Sequence, residues 1–160
     1  MTKPSLTEMF AAAGVQRPED SIGFLLWRVA HRHQREVDRV LAAIDLTHLQ
    51  FVVLVQTAWL ARDGEAVTQA GLARYGKVHP MQLSNILKTL EAKQLITRRR
   101  AAPAARSKLV ALTPGGIDLL ARALPRVQGL HDSFFGDDTG SSRTLHACLR
   151  QLVASWPDDD

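Results

Sequence analysis

Gln82 and Asn85 stand three residues apart, with Ser84 between them and Lys88 a further step along. A carboxamide carries a donor and an acceptor at fixed separation, and that pair matches the adenine edge in a DNA major groove. Ser84 and Lys88 suit base edges or phosphates. Upstream, Thr68 and Gln69 open a short helix and His79 precedes the next one. Helix N-termini present free N–H groups that attract phosphate. Downstream come Arg98, Arg99 and Arg100, then Arg106 and Lys108. Side chains alternate along a strand, so three consecutive arginines cannot all face one ligand. Arg99, Arg100, Arg106 and Lys108 join the residues above as candidate DNA contacts. Each feature alone is also what an ordinary solvated surface looks like. Their order along the chain is what points to nucleic acid.

Positioning these side chains requires a particular run of elements. Thr68 caps a short helix to Tyr75, and Gly76 is expected to stop it. Lys77-Val78-His79 forms the turn. Pro80 suits the first position of a helix running to about Lys93, with Leu83, Ile86, Leu87 and Leu90 on its inner face. Leu95–Arg100 and Lys108–Leu112 read as two strands, with Pro103 in the loop between them. Helix, tight turn, helix and hairpin make a winged helix-turn-helix.

Long helices flank that unit. After a mixed stretch over 1–20, in which Ser5 and Glu8 could cap a short helix ending at Gly14, a 3.6-residue stripe begins. It comprises Ile22, Leu26, Val29, His33, Val37, Val40 and Ile44. Thr47 and Gln50 form a capping box for an almost wholly apolar helix, Phe51 to Ala61. Thr113-Pro114 starts another helix, striped by Ile117, Leu120, Leu124, Val127 and Phe134. Ser142 to Trp156 is a last amphipathic helix carrying Leu145, Leu149, Leu152, Val153 and Trp156. These stripes exceed what one small winged-helix core can cover, so a homodimer is expected. The predicted fold is mainly α with a small β-hairpin wing. Its parts are an extension (1–20), dimerisation helices (21–46 and 114–156), the DNA-binding domain (47–113) and an acidic tail (157–160).

Composition narrows the function classes. The chain has 160 residues, 46% of them hydrophobic, and a net charge of +4, as expected of a folded globular protein. Between Thr68 and Thr113 there are nine basic residues and one acid, Glu91. That segment carries +8 and leaves −4 elsewhere, a focus suited to a polyanion such as double-stranded DNA. No zinc-ligand spacing, phosphate-cradling glycine loop or paired carboxylates stand out, so neither an enzyme, a metal nor a cofactor is expected. No apolar run reaches membrane-spanning length and no secretory leader is evident, so the expected location is the cytoplasm and no membrane partner is expected. Cys148 is the sole cysteine. Redox sensing would need an accessible, acidified thiol and a partner from a second subunit. His33 reads as a structural histidine on the inner stripe, and Trp27 and Trp59 as core or interface aromatics.

Four segments together resemble the multiple antibiotic resistance regulator (MarR) family. They are Thr68-Gln-Ala-Gly-Leu-Ala-Arg, Leu83-Ser-Asn-Ile-Leu-Lys-Thr-Leu-Glu-Ala-Lys, Leu95-Ile-Thr-Arg-Arg-Arg and Lys108-Leu-Val-Ala-Leu-Thr-Pro-Gly-Gly. The resemblance extends from about Ser21 to Trp156. It implies a homodimer, often a repressor, that binds a pseudo-palindromic operator. The recognition helix would be Pro80 to Lys93 and the wing Arg98 to Lys108. Family members often respond to small aromatic or phenolic compounds, or to thiol oxidation; nothing here singles out effector-binding residues. The chain departs from the family at several places. Ala104-Ala105-Arg106 keeps the wing arginine without its usual aspartate, and Ala101 replaces another acid. Gln94 replaces a glycine, which calls for a different helix exit, and Gly71 replaces an acid, which should weaken its helix by about 1 kcal/mol relative to alanine. The alternative is a winged-helix interaction protein that no longer binds DNA, for which the missing wing aspartate is the sequence support.

Overall fold

A computed structural model describes residues 4–14, 17–100, 108–136 and 140–156. The chain divides into two compact units, residues 1–36 and 37–160, with the boundary inside a long helix.

In the first unit, α1 (Leu6–Ala12) begins at a capping box between Ser5 and Glu8, and Gly14 follows it with φ +69°. A 3-10 turn over Pro18–Asp20 leads into α2 (Ile22–Leu41). Ile22, Leu25, Leu26, Trp27 and Val29 are exposed, so the first half of the expected α2 stripe is uncovered among the described residues. Trp27 stacks between Phe24 and His31, with ring centroids 6.2 Å and 4.5 Å away. It is a surface aromatic and not part of a core.

In the second unit, Val37 and Leu41 end α2 as buried side chains. A 3-10 turn and Asp45, in the left-handed region at φ 52°, lead to α3 (His48–Ala61). The expected capping box holds: Thr47 Oγ1 accepts from the Gln50 N–H and Gln50 Oε1 accepts from the Thr47 N–H, both at 3.3 Å. The near-uniform apolarity of α3 follows from its place, since α4, α5, α6 and the hairpin all pack against it. Leu49 and Trp59 are exposed, and Trp59 lies beneath the Arg62 guanidinium, 4.0 Å from its ring centroid.

Next come α4 (Gln69–Gly76), α5 (Pro80–Ala92), β1 (Ile96–Arg100), β2 (Lys108–Leu112), α6 (Pro114–Phe135) and α7 (Gly140–Ala154). The strands pair antiparallel, Ile96 opposite Leu112 and Arg100 opposite Lys108. The Val67–Thr68 segment adds a bridge to β2 through Val110 N–H donating to Val67 O at 2.8 Å. The core gathers Leu54 of α3, Leu72 of α4, Leu83, Leu87 and Leu90 of α5, Ile96 and Val110 of the hairpin, and Leu120 of α6. This clustering holds the two short helices at a fixed angle, because neither could bury a stripe alone.

Three details differ from expectation. Gly76 does not supply the left-handed stop of α4: Lys77 does, at φ 49°. A Cβ at 76 would lie 2.6 Å from Gln56 Oε1, the far end of a flexible side chain that would have to move aside. Gln94 does not change the exit of α5. It adopts φ 58°, the conformation a glycine would take. Leu95 N–H reaches Leu90 O at 3.0 Å and Gln94 N–H reaches Glu91 O at 2.9 Å, which together make a Schellman motif. Finally, α6 buries Gly116, Leu119, Leu120, Ala123 and Val127, while Ile117 and Leu124 of the expected stripe are exposed.

Candidate nucleic-acid interface

The local chemistry of α4 and α5 sets which side chains remain available. Thr68 Oγ1 accepts from Gly71 N–H at 3.0 Å, which fixes the start of α4 and leaves Thr68 and Gln69 half-buried. His79 is the N-cap of α5: its Nδ1 accepts from Met81 N–H at 3.3 Å, and Pro80 occupies the first turn. With Leu83, Leu87 and Leu90 buried, Gln82, Asn85 and Lys88 are exposed and Ser84 is half-buried. The opposite-face arrangement expected from spacing is present. Thr89 Oγ1 donates to Asn85 O at 3.1 Å, so it is the backbone of Asn85 that is engaged there.

The hairpin sorts its cations by alternation. Ile96 and Val110 are buried on one face, and the register puts Arg98, Arg100 and Lys108 on that side. Thr97, Arg99, Leu109 and Ala111 take the other face, where with Ala58, Glu65 and Ile117 they line a cleft of about 450 Å³. Arg99, Arg100 and Lys108 are exposed, whereas Arg98 is mostly covered. Arg106, and with it the loop from Ala101 through Ala104 and Ala105, lies outside the described residues.

Two polar links were not anticipated from sequence. Arg98 donates from Nε to Glu91 Oε2 at 3.0 Å, and from Nη2 to the same oxygen. The side-chain hydrogen bonds from Arg98, chiefly, hold the Glu91 carboxyl below the usual carboxylate range; burial opposes them, and the charges of Arg98 and Lys108 add to the lowering. The available signal was that Glu91 is the only acid in the basic segment. At the exit of α5, Lys93 Nζ lies 2.9 Å from the Asp45 carboxylate. It also donates to the Asp45 carbonyl and to Gln50 Oε1, the latter at 3.3 Å. No spacing rule connects residues 45 and 93.

Elsewhere, His33 is half-buried and Cys148 is exposed. No group of three or more metal-binding side chains occurs among the described residues. No single helix among them is long and apolar enough to cross a membrane.

A helix-turn-helix followed by a paired hairpin, with amides and cations outward and leucines inward, defines a winged helix-turn-helix protein. Residues 44–107 match the family model for the MarR family. An uncharacterized HTH-type transcriptional regulator of Bacillus subtilis, YdcH, is 39% identical over 118 residues, covering 74% of this chain and 80% of the relative. CouR from Rhodococcus jostii, whose crystal structure holds p-coumaroyl-CoA, is 28% identical with a TM-score of 0.75, over 91% of this chain and 99% of CouR. A mutant MarR from E. coli, complexed with operator DNA, is 26% identical with a TM-score of 0.72, over 82% of this chain and 93% of that one. The chain belongs to the MarR family of transcriptional regulators.

Proposed function

We propose that the protein is a homodimeric, cytoplasmic repressor that binds a pseudo-palindromic operator and is released by a small-molecule effector. The observation that carries the DNA reading is the outward face of α5. Gln82, Asn85 and Lys88 are exposed there, and the hairpin beside them carries exposed cations. Gln82 and Asn85 would read base edges in the major groove. Ser84 would assist, and Lys88 would contact phosphate. Thr68, Gln69 and His79 would meet the backbone at helix N-termini. Arg99, Arg100, Arg106 and Lys108 would carry the hairpin along the DNA. The dimer reading is supported by apolar side chains left uncovered on α2 and α7. The effector reading draws on the ligand held by CouR, and the repressor direction on the family resemblance.

Selection of bound duplexes from random DNA, followed by titration of the selected and an unrelated duplex at two salt concentrations, tests this function. The expected result is a two-fold symmetric sequence bound at least about 10³-fold more tightly than random DNA. Equal binding of all duplexes would overturn the operator reading. Absence of any binding would favour a winged-helix protein that engages another protein.

A further inference from the structure

Glu91 is placed where an acid is least expected. Ser84, Lys88 and Glu91 are separated by four and three residues, which sets them along one stripe of α5. Ser84 and Lys88 on that stripe are proposed to meet DNA, and a bare carboxylate in line with them would repel phosphate. The partner comes from the hairpin. Both Nε and Nη2 of Arg98 converge on one oxygen of Glu91, and the Arg98 side chain is only 10% exposed. Arg98 is therefore spent inside the protein, between neighbours that are exposed or carry no charge: Thr97 and Arg99 point to the other face of the hairpin.

We infer that the Glu91–Arg98 pair is a positioning device that sets the hairpin at a fixed distance and angle from α5, so that helix and wing read DNA as one unit. The hairpin has a narrow base. Ile96 and Val110 anchor it in the core, while the strand ends at Arg100 and Lys108 are exposed. Beyond Ile96, the two-point grip of Arg98 joins β1 directly to α5. A pair whose acid is partly exposed contributes little to folding. Its effect falls instead on orientation, since a planar guanidinium bound through two donors fixes direction as well as distance. The pair also neutralises the one acid of the basic segment.

This inference rests on the DNA-binding reading, and the experiment separates the two. Full-length wild type, Glu91→Gln, Arg98→Ala and the double variant are titrated against the selected operator and a random duplex at two salt concentrations, with melting temperatures measured alongside. Glu91→Gln removes an acid and releases a cation. Binding to random DNA should rise about threefold and its salt slope should steepen by up to about one unit. The operator-to-random ratio should nevertheless fall about tenfold, because the hairpin is no longer aligned. A simple loss of stability would lower both affinities and would not steepen the slope. Arg98→Ala should lower the ratio by a similar factor, and the double variant should lose no more than either single change. An operator-to-random ratio for Glu91→Gln within twofold of wild type would overturn the inference, as would independent, multiplying effects in the double variant. If wild type itself shows no preferred duplex, the operator reading fails first.

Discussion

Two residues carry backbone requirements that side-chain chemistry does not announce. A Cβ at Gly116 would lie 2.0 Å from the Leu95 carbonyl oxygen, which belongs to the chain leaving α5. Gly116→Ala must push backbone aside, and unfolding in urea should show a loss of about 3 kcal/mol. Gln94 bears the opposite strain. An L-residue at φ 58° is disfavoured by its own Cβ. Its side chain is exposed, so nothing in the core depends on it. Gln94→Gly should stabilise by about 0.5–1 kcal/mol in the same assay, after allowing for the greater freedom of glycine in the unfolded chain. His48 provides a pH signature. Burial, chiefly, and the charge of His131 hold its pKa below the ordinary value near 6.5, while Asp38 works the other way. The unfolded chain therefore takes up a proton at higher pH than the folded one does. The contribution of His48 to stability is complete above pH 6.5, and falls as the pH drops from there towards the lowered folded value. Denaturation midpoints between pH 8 and 5 should decline on the acid side, and His48→Gln should flatten that decline.

At the level of elements, the beginnings of helices were the most legible feature. Ser5, Thr47, Thr68 and Thr113 all cap helices through side-chain oxygens, as their residue types suggest. Thr113 has a second task. Its Oγ1 accepts from Gly116 N–H at 3.0 Å and donates to Gln94 O at 2.7 Å, tying the start of α6 to the exit of α5. Thr113→Ala should cost about 1–2 kcal/mol by chemical denaturation, more than Thr113→Ser, which keeps both bonds. Helix faces were less legible. On α6, size favoured Ile117 and Leu124, yet the core took Gly116, Leu119 and Ala123. Gly116 lets the start of α6 approach Leu95 and Leu112 closely, and a reading weighted by side-chain size overlooks that advantage. At the stop of α4, Gly76 attracts attention for its conformational freedom, but the left-handed turn falls one residue later, at Lys77, and Gly76 itself packs close to the Gln56 amide.

For the whole molecule, the central observation is how much apolar surface one chain leaves open. No residue of α7 is buried, and Leu145, Leu149, Leu152, Val153 and Trp156 are all exposed. Ile22, Leu25, Leu26 and Val29 add a second uncovered stripe on α2. Patches of this kind mark an interaction surface. Sedimentation should report a dimer at micromolar protein, with an interface of about 2,000 Å² or more. A stable monomer would contradict the homodimer. Substituting Leu149 and Leu152 together by Glu should shift the equilibrium towards monomer and weaken operator binding in parallel, because a pseudo-palindrome is read by two copies.

The amino-acid sequence by itself determined the order of elements, the helix starts, the hairpin and the polar face of α5. All of these follow from local chemistry: a hydroxyl capping an N–H, a proline in a first turn, leucines recurring every three or four residues. It also determined the concentration of positive charge between Thr68 and Thr113. Tertiary structure decided which of those charges remain available. Arg98 and Lys93 are spent on Glu91 and on Asp45 with Gln50, through contacts that span seven, 48 and 43 residues. It likewise decided which of two apolar faces on α6 enters the core, because burial depends on the shape of neighbouring elements. Local patterns describe what a segment can bury, whereas the three-dimensional packing of all segments selects what it does bury.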